Sequence, residues 1–309
     1  MHITLIGYGE VGRILAEDLR AAGHRVTAHD PKLASEAGNA LREHAAAFGV
    51  QVADSHADAV QGSALVISAV TASQAVPVAA AVAPCIGQDI WFLDLNSASP
   101  GAKIEAARSI DAACGRYVEA AVMTSIPPHR SRVPMLLGGP HAAAFAPVIN
   151  ALGFRATVAS DRLGVASATK MCRSVMIKGL EAMVIESFTA ARFYGVEDAV
   201  IASLQETFPG IDWERQGAYF FQRVIEHGRR RAEEVREVAV TVQDAGLTPW
   251  SARGTAARQA AMADLADAGL FGSRGAAGNP ASPDFARSAD WRVEADRMLG
   301  HEHLQTPKA

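Results

Sequence analysis

The chain has 309 residues, enough for two domains, and its 29 basic and 33 acidic side chains give a net charge of −4. Apolar residues make up 49% and charged residues 20%, a composition typical of a globular protein. The small negative charge does not favour nucleic acid as the main partner. No run of 18 apolar residues is free of charge, so we expect no membrane partner or membrane span.

Cysteine usage and the N-terminus both predict a cytoplasmic protein. Cys85, Cys114 and Cys172 have no paired spacing and no nearby histidine pattern, which favours reduced thiols and no metal site. The chain begins directly with an apolar run and lacks the charged region and cleavage site of a signal peptide.

The first elements along the chain form a dinucleotide-binding pattern. An apolar strand at 2–7 leads into a Gly-x-Gly-x-x-Gly loop, a helical pattern to residue 22 and a second strand at 24–29. The first glycine permits a tight turn, the second lets the backbone approach a pyrophosphate, and the third allows close helix–strand packing. Amides at the start of the helix favour the phosphate charge. We therefore predict that a dinucleotide contacts Gly7, Tyr8, Gly9, Glu10, Val11 and Gly12.

Asp30 follows the second strand, 18 residues after Gly12. A carboxylate there accepts hydrogen bonds from the adenosine ribose hydroxyls and repels a 2′-phosphate, which favours NAD over NADP. The positive charge of Lys32, two residues later, weakens this preference, so NADP remains an alternative cofactor. The alternative interpretation of Asp30 is a turn or cap residue before Pro31.

The remaining front half predicts a doubly wound α/β sheet of about eight strands that ends near residue 160. Further strand patterns lie at 50–53, 64–69, 90–95, 117–122, 133–137 and 154–158, and helical patterns lie at about 33–48 and 55–61 and run up to 83 and 151. Small polar residues at the C-terminal ends of parallel strands line the ligand site of such a sheet. This pattern favours cofactor contacts from Val70, Thr71 and Asn96, with Ser97 beside them. The alternative role of Thr71, Asn96 and Ser97 is helix N-capping.

Residues 161–195 predict one long helix, roughly 50 Å in length, that is apolar on most sides and therefore buried. Ser160 or Asp161 can cap its start, and Gly195 can end it. The residues Lys170, Ser174, Lys178 and Glu181 share one face of this helix. A buried lysine is costly unless it is paired or used, and the alternative interpretation is a local ion-pair stripe at the helix edge.

With these motifs in order, the chain resembles the β-hydroxyacid dehydrogenases, which include 3-hydroxyisobutyrate and 6-phosphogluconate dehydrogenases. The resemblance covers about residues 2–195 and includes the glycine loop, an Asp-x-Asn segment at 94–100, a substrate loop at 119–125 and a catalytic-helix motif at 164–174. The back half is similar to a branch with an uncharacterised C-terminal helical domain. The resemblance implies Lys170 as the catalytic lysine. Taken with the strand-end residues and the shared face of the long helix, it predicts a substrate site formed by Ser97, Met123, Thr124, Ser125, Ser174 and Lys178.

Two departures from the family pattern affect the substrate more than the reaction type. Met123-Thr124-Ser125 replaces the usual Ser-Gly-Gly, and Ser174 replaces the usual asparagine. The shorter serine and the apolar methionine leave room for an aromatic or longer-chain hydroxyacid.

The resemblance implies an NAD(P)-dependent oxidoreductase that transfers a hydride between the cofactor and the alcohol of a small hydroxyacid, with Lys170 as general acid and base. A free lysine has a pKa of about 10.4. We expect the closed cleft and the positive charges of Lys178 and oxidised nicotinamide to lower it. The alternatives are an imine reductase, a 6-phosphogluconate dehydrogenase-like oxidative decarboxylase and a non-catalytic NAD-binding protein.

The back half predicts helices at about 197–207, 211–228, 229–246 and 249–268. We therefore expect an N-terminal Rossmann domain at 1–160, joined through the long helix to an all-helical substrate and dimerisation domain at 161–270. A loose connector and tail at 271–309 would contain a final short helix near 290–304. We expect a homodimer that forms through the helical domain.

The His227–Arg231 run is the most conspicuous cluster of the back half. One interpretation is that an arginine, or His227, binds a substrate anion. The alternative, which we favour, is a solvated face on which the arginines pair with Glu233, Glu234 and Glu237 at helical spacing.

Overall fold

The computed structural model describes residues 1–272 and 290–305, apart from the side chains of residues 37 and 302–305. The chain divides into two compact units, the first from Met1 to Cys172 and the second from Arg173 onward. Most of the connector expected at 271–309 lies outside the described residues.

The first unit contains one eight-stranded sheet, which confirms the predicted doubly wound α/β fold. Its strands are β1 His2–Ile6, β2 Arg25–His29, β3 Gln51–Val52, β4 Leu65–Ser68, β5 Trp91–Asp94, β6 Arg116–Val122, β7 Pro134–Gly138 and β8 Arg155–Ser160. The strand order is β3-β2-β1-β4-β5-β6-β7-β8. Strands β1 to β6 are parallel, β7 is antiparallel to β6, and β8 is parallel to β7.

Helices cover both faces of this sheet, because its central strands are apolar on both sides. On β4, Leu65 and Ile67 belong to one hydrophobic core, and Val66 belongs to another. The helices are α1 Glu10–Ala21, α2 Asn39–Ala47, α3 His56–Val60, α4 Ala75–Val82, α5 Pro100–Ala112 and α6 Ala142–Ala151. The helix predicted at 33–48 is shorter than expected, since two 3₁₀ turns, Pro31–Ala34 and Glu36–Gly38, come before α2.

The long helix predicted at 161–195 is α7, Val165–Tyr194, and the boundary between the units falls within it. Its end agrees with the prediction, because Gly195 follows with a φ of +66°. Its start is four residues later than predicted. Ser160 accepts a hydrogen bond from the Arg162 amide in the preceding turn and does not cap the helix.

The second unit is helical and contains α8 Glu197–Thr207, α9 Trp213–Asp244, α10 Trp250–Asp267 and α11 Trp291–Gln305. Its core is aromatic, with Phe188, Phe221 and Trp291 almost completely buried together. The final helix expected near 290–304 is confirmed as α11. Among the described residues, none of the helices is both long enough and apolar enough to span a membrane.

One boundary predicted in the back half is wrong. Residues 213–244 form the continuous helix α9, whereas we expected a break between residues 228 and 229. Gly228 lies inside this helix, where an added Cβ would be 2.7 Å from the backbone oxygen of Gln259 on α10. The glycine therefore permits close packing of two helices and does not end one.

The expectation that α7 is buried on most sides is also wrong. Met176, Met183 and Tyr194 are 71%, 60% and 75% exposed. These three residues lie on one side of the helix, since their separations of 7 and 11 residues are close to whole numbers of turns. The second unit thus has an exposed apolar stripe along α7.

Candidate active site

The glycine loop has the close contacts that the dinucleotide motif requires. Gly7 has a φ of +97°, and an added Cβ would lie 2.4 Å from the backbone oxygen of Ala69. An added Cβ on Gly12 would lie 2.2 Å from the Gly7 oxygen. At Gly9, by contrast, a Cβ would meet no protein atom within 4 Å, and this residue caps α1 without a side-chain hydrogen bond. The helix start is thus open on the side where a pyrophosphate would bind.

Asp30 is held against the glycine loop. One of its carboxylate oxygens accepts a hydrogen bond from the Tyr8 amide at 2.9 Å, and the other accepts from the Lys32 amide at 2.9 Å. The second bond makes Asp30 the N-cap of the 3₁₀ turn Pro31–Ala34, as the alternative interpretation expected. Asp30 therefore caps the 3₁₀ turn and also lies beside the glycine loop.

Tyr8 connects the glycine loop to α2. Its side chain is fully buried, and its hydroxyl lies 2.9 Å from Nδ1 of His44. Burial raises the pKa of Tyr8 to about 12, so the hydroxyl keeps its proton at neutral pH. His44 in turn lies 2.9 Å from the Glu17 carboxylate on α1.

Arg130 fixes the segment after β6 to α1. Its guanidinium donates hydrogen bonds to Glu17 and Asp18, each at 2.7 Å, and the Ser131 amide donates to Asp18 at 3.0 Å. Arg130 adopts a left-handed φ of +54° to make these contacts. The loop that carries Met123 to Pro128 is therefore tied at its far end to the helix of the glycine motif.

Asn96 joins the ends of β4 and β5. Its side-chain oxygen accepts from the Val70 amide at 2.7 Å, and its side-chain nitrogen donates to Ser68 at 2.9 Å. Asn96 is not the N-cap of α5, because Ser99 occupies that position. Thr71 precedes a 3₁₀ turn but makes no side-chain capping bond.

Asp94, at the end of β5, holds this loop from inside the sheet. Its buried carboxylate accepts from the Asn96 amide at 2.8 Å, from Tyr117 at 2.7 Å and from Lys103 at 2.8 Å. Burial, followed by the charge of Asp94, raises the pKa of Tyr117 well above its ordinary value. The sequence analysis did not identify Lys103, which is the one charged residue on the buried side of α5. The available signal was a lysine soon after a strand that ends in aspartate.

Lys170 lies on α7, one turn after the helix begins. Its ammonium donates a hydrogen bond of 2.6 Å to the Ser97 hydroxyl in the loop that follows β5. The Lys170 side chain is half-buried. The structure therefore brings together two of the predicted site residues that are 73 positions apart.

The segment Met123-Thr124-Ser125 directly follows β6. Met123 and Ser125 are half-buried, Thr124 is exposed, and the Met123 amide donates to the Pro134 oxygen at 3.0 Å. Because β6 runs parallel to β5, this segment and the Ser97 loop leave the sheet at the same edge.

Glu119 on β6 is a second functional candidate that sequence reasoning missed. Its carboxylate is fully buried and accepts hydrogen bonds from the Ala166 amide at 3.0 Å and the Ser167 hydroxyl at 3.1 Å. The available signal was a lone charged residue inside the apolar strand Tyr-Val-Glu-Ala-Ala-Val.

Ser174 and Lys178 belong to the second unit, and both are buried. The Lys178 ammonium pairs with Glu234 on α9. Burial lowers the pKa of Lys178, while Glu234 acts in the opposite direction. Glu181 pairs with Arg231, so Lys178 and Glu181 each have an ion-pair partner on α9.

The three arginines of the cluster form ion pairs, and two of them have partners on other helices that local spacing did not indicate. Arg229 reaches Asp264 at 2.6 Å and Asp267 at 2.7 Å, both on α10. Arg231 is buried against α7 through its pair with Glu181. Arg230 lies 4.0 Å from Glu234 and four residues before it, which is the helical spacing that the sequence predicted.

Comparison with known families agrees with this architecture. Residues 2–159 match the NAD-binding domain of 6-phosphogluconate dehydrogenase, and residues 191–262 match a domain of unknown function, DUF1932. The first match covers more than half of the chain and includes the whole glycine loop.

Two solved structures that are more than 25% identical to the chain are similar over most of it. A conserved hypothetical protein from Sinorhizobium meliloti 1021 is 35% identical, with 96% of each chain covered and a TM-score of 0.72. The conserved protein MTH1747, described as structurally similar to 3-hydroxyacid dehydrogenases, is 26% identical over 86% of this chain and 99% of its own, with a TM-score of 0.66.

A more distant structure shares the fold. The 3-hydroxyisobutyrate dehydrogenase of Mycobacterium tuberculosis, solved with L-serine, is 17% identical over 93% of this chain and 97% of its own, with a TM-score of 0.63. The chain therefore belongs to the family defined by the NAD-binding domain of 6-phosphogluconate dehydrogenase, in a 3-hydroxyacid dehydrogenase-like branch with a C-terminal domain of unknown function.

Proposed function

We propose that the protein is an NAD(P)-dependent oxidoreductase that interconverts the alcohol of a small hydroxyacid and the corresponding carbonyl compound, with Lys170 as general acid and base. The observation that carries this proposal is the 2.6 Å hydrogen bond between the Lys170 ammonium and Ser97. Ser97 follows β5 at the same edge of the sheet at which the glycine loop follows β1, since β1, β4 and β5 are parallel. Ligands of open α/β sheets bind at this edge.

The glycine loop and the strand ends would hold the cofactor. The open backbone at Gly9 and the start of α1 fit a pyrophosphate, and the Asp30 carboxylate fits ribose hydroxyls. Val70, Thr71 and Asn96 would border the nicotinamide half. When bound, the nicotinamide supplies an acceptor or donor of two electrons and one hydrogen as hydride.

Lys170 would move the proton that accompanies this hydride. In oxidation, its neutral amine accepts the proton of the substrate hydroxyl while the carbinol carbon loses its hydrogen with both electrons and becomes a carbonyl. In reduction, the ammonium returns the proton to the developing alkoxide. Ser97 accepts a hydrogen bond from the same nitrogen and keeps it directed toward the sheet edge. General acid–base catalysis of this kind contributes about 10²- to 10⁴-fold to a rate.

The substrate would be recognised from the loops around this amine. Met123, Thr124 and Ser125 offer one apolar and two hydroxyl side chains directly after β6. This combination suits a hydroxyacid with a longer or aromatic side chain. The Lys178 ammonium pairs with Glu234, so a substrate contact from Lys178 has less support than one from Lys170.

The test is a panel of short, long and aromatic hydroxyacids with NAD and with NADP, run on wild type and on Lys170→Ala. We expect turnover by wild type, a loss of about 10²- to 10⁴-fold in the variant, and equal affinity of both proteins for the cofactor. Arg155→Ala, which removes an exposed cation of β8, is the control and should retain turnover. Wild-type turnover in Lys170→Ala would refute the role of this lysine.

The same assay separates the alternative functions. Reduction of cyclic imines without oxidation of alcohols would favour an imine reductase, and release of carbon dioxide would favour an oxidative decarboxylase. Cofactor binding without turnover of any alcohol would favour a cofactor-binding protein that is not an enzyme.

We also propose that two copies of the chain associate through the helical unit. The exposed stripe of Met176, Met183 and Tyr194 on α7 supports this proposal, because aligned large apolar side chains mark association surfaces. Light scattering should give a dimer for wild type and a monomer for Met183→Glu. Val158→Glu, at an exposed apolar residue of β8, is the control, and a monomeric wild type would contradict the proposal.

A further inference from the structure

The first turn of α7 has no cap of its own. The Gly164 oxygen accepts the first helical hydrogen bond, from the Ala168 amide at 2.9 Å, so Gly164 occupies the N-cap position. Its φ of +87° excludes most other residues, and a glycine offers no side chain to the unpaired amides of the first turn. A helix that begins on glycine therefore needs an acceptor from elsewhere in the fold.

Glu119 provides that acceptor from the sheet. Its carboxylate accepts the Ala166 amide, at the second position of the helix, and the Ser167 hydroxyl at the third. Within the described part of the chain, its charge has no lysine, arginine or histidine within salt-bridge distance. The positive end of the helix is thus the main group that compensates it.

The strand beside Glu119 makes room for the carboxylate. An added Cβ on Gly138 of β7 would lie 2.2 Å from a Glu119 oxygen, so any other residue there would displace the carboxylate. Gly138 and Glu119 are register partners in the sheet. The contact between β6 and α7 therefore depends on Glu119 of β6 and on Gly138 of the neighbouring strand β7.

Lys170 follows Ala166 by four residues, which places both on the same side of α7. The rotation of the first turn, which the Glu119 contact fixes, also fixes the direction of the Lys170 side chain. We propose that Glu119 is a positioning residue that sets the location of the Lys170 amine by capping α7 from the sheet. Its effect on turnover rests on the function proposed above, whereas its effect on the amine does not.

A glutamine at position 119 can preserve this geometry without the charge. Its side-chain oxygen accepts the Ala166 amide, and its side-chain nitrogen donates to the Ser167 hydroxyl. That hydroxyl then donates to the Gly164 oxygen, which already lies 3.1 Å away. Glu119→Gln is therefore the conservative variant, and Glu119→Ala is the variant that removes the cap.

The first measurement observes the amine directly and needs no substrate. The chain contains five lysines, Lys32, Lys103, Lys170, Lys178 and Lys308, so the spectrum of the protein methylated with ¹³C-formaldehyde is simple, and Lys170→Arg assigns the signal. We expect the Lys170 signal to shift in Glu119→Ala and to keep its wild-type position in Glu119→Gln. Ser55→Ala, which removes the side-chain cap of α3, is the control and should leave the signal unchanged.

The second measurement is turnover of the best alcohol found in the panel. We expect kcat to fall at least tenfold in Glu119→Ala and to stay within about threefold of wild type in Glu119→Gln, with cofactor affinity unchanged in both. If Glu119→Ala does not fold, Ser167→Ala replaces it and should give a smaller shift of the same signal. An unshifted Lys170 signal in the folded alanine variant would overturn the proposal. A shifted signal in a protein that oxidises no alcohol would refute the proposed function and leave the positioning role standing.

Discussion

The carboxylates of Asp94 and Glu119 belong to register partners on the adjacent parallel strands β5 and β6, and both are fully buried. Residues directly opposite in a sheet project from the same face. Two like charges therefore lie side by side in the interior, and each needs its own compensation. Asp94 pairs with Lys103, and Glu119 caps α7.

These two carboxylates organise the two sides of the proposed catalytic contact. Asp94 holds the loop that carries Ser97, through the Asn96 amide. Glu119 holds the helix that carries Lys170. The hydrogen bond between Ser97 and Lys170 therefore depends on neighbouring positions of one rigid sheet.

Cofactor preference should change when Asp30 loses its charge. In Asp30→Asn the side-chain oxygen still accepts one backbone amide, but it no longer repels a 2′-phosphate. We expect the affinity for NADP relative to NAD to rise on the order of tenfold, or about 1.4 kcal/mol. Titration of each cofactor by calorimetry measures the ratio. Lys32→Ala, which leaves the amide bond to Asp30 intact, should lower the ratio, and an unchanged ratio in Asp30→Asn would contradict the assignment.

The Arg130 contacts should stabilise the fold at neutral pH but not in acid. Burial alone would raise the pKa values of Glu17 and Asp18, yet their hydrogen bonds, including those from Arg130, outweigh it and lower both. A lowered carboxyl pKa contributes stability above the unfolded-state pKa, and that stability is lost as the pH falls through the folded-state pKa.

We therefore expect Arg130→Ala to reduce the free energy of unfolding by about 1 kcal/mol at pH 7, and by less near pH 3, in urea titrations. Arg132→Ala, an exposed arginine of the same loop, is the control and should have little effect at either pH. A deficit in Arg130→Ala that grows on acidification would contradict this account.

Two neighbouring arginines should differ greatly in their effect on stability. Arg231→Ala leaves the buried Glu181 carboxylate without its main partner, which costs about 3–5 kcal/mol. Arg229→Ala breaks exposed pairs worth about 0–1 kcal/mol. Urea unfolding of the two variants measures the difference. A double variant, Glu181→Gln with Arg231→Met, should be more stable than Arg231→Ala, because it leaves no unpaired buried charge. The same arginine variants also test substrate binding. Michaelis constants equal to those of wild type would exclude an anion-binding role for the cluster.

Two helical glycines should respond in opposite directions to alanine. Gly228→Ala forces a methyl group against the α10 backbone and should destabilise the protein by about 1–3 kcal/mol. Gly254→Ala adds a methyl group in open space within α10 and should stabilise it by about 0.5–1 kcal/mol. Thermal unfolding separates the two outcomes, and a stabilising Gly228→Ala would show that the helices can move apart at no cost.

The elements of the sheet could be predicted because buried parallel strands are short apolar runs bounded by turn residues. Runs such as Ala-Leu-Val-Ile-Ser-Ala have the length and the flanking residues of buried strands, and the preceding glycine loop favours the same interpretation. The contact between Lys170 and the loop after β5 was harder to predict from the sequence. Only the family resemblance distinguished this lysine from the other lysines of the chain.

The contacts that support the site could not be predicted, because their partners are distant in sequence. Glu119 and Ala166 are 47 residues apart, and the sequence around one of them does not indicate that it contacts the other. The same limitation produced the error at Gly228, which resembles a helix end until the neighbouring helix is in place. Local spacing indicated Glu234 as a partner of Arg230, whereas packing placed Asp264 beside Arg229 and Glu181 beside Arg231, and these carboxylates lie on other helices.

Capping from a distant strand has a consequence for the order of folding. A helix capped by its own preceding residue can form that contact as soon as its first turn has left the ribosome, but the start of α7 obtains its cap only when it meets Glu119 on β6. The amine therefore reaches its final position only after this part of the sheet has docked on the helix, so the reactive centre depends on a contact between distant parts of the chain.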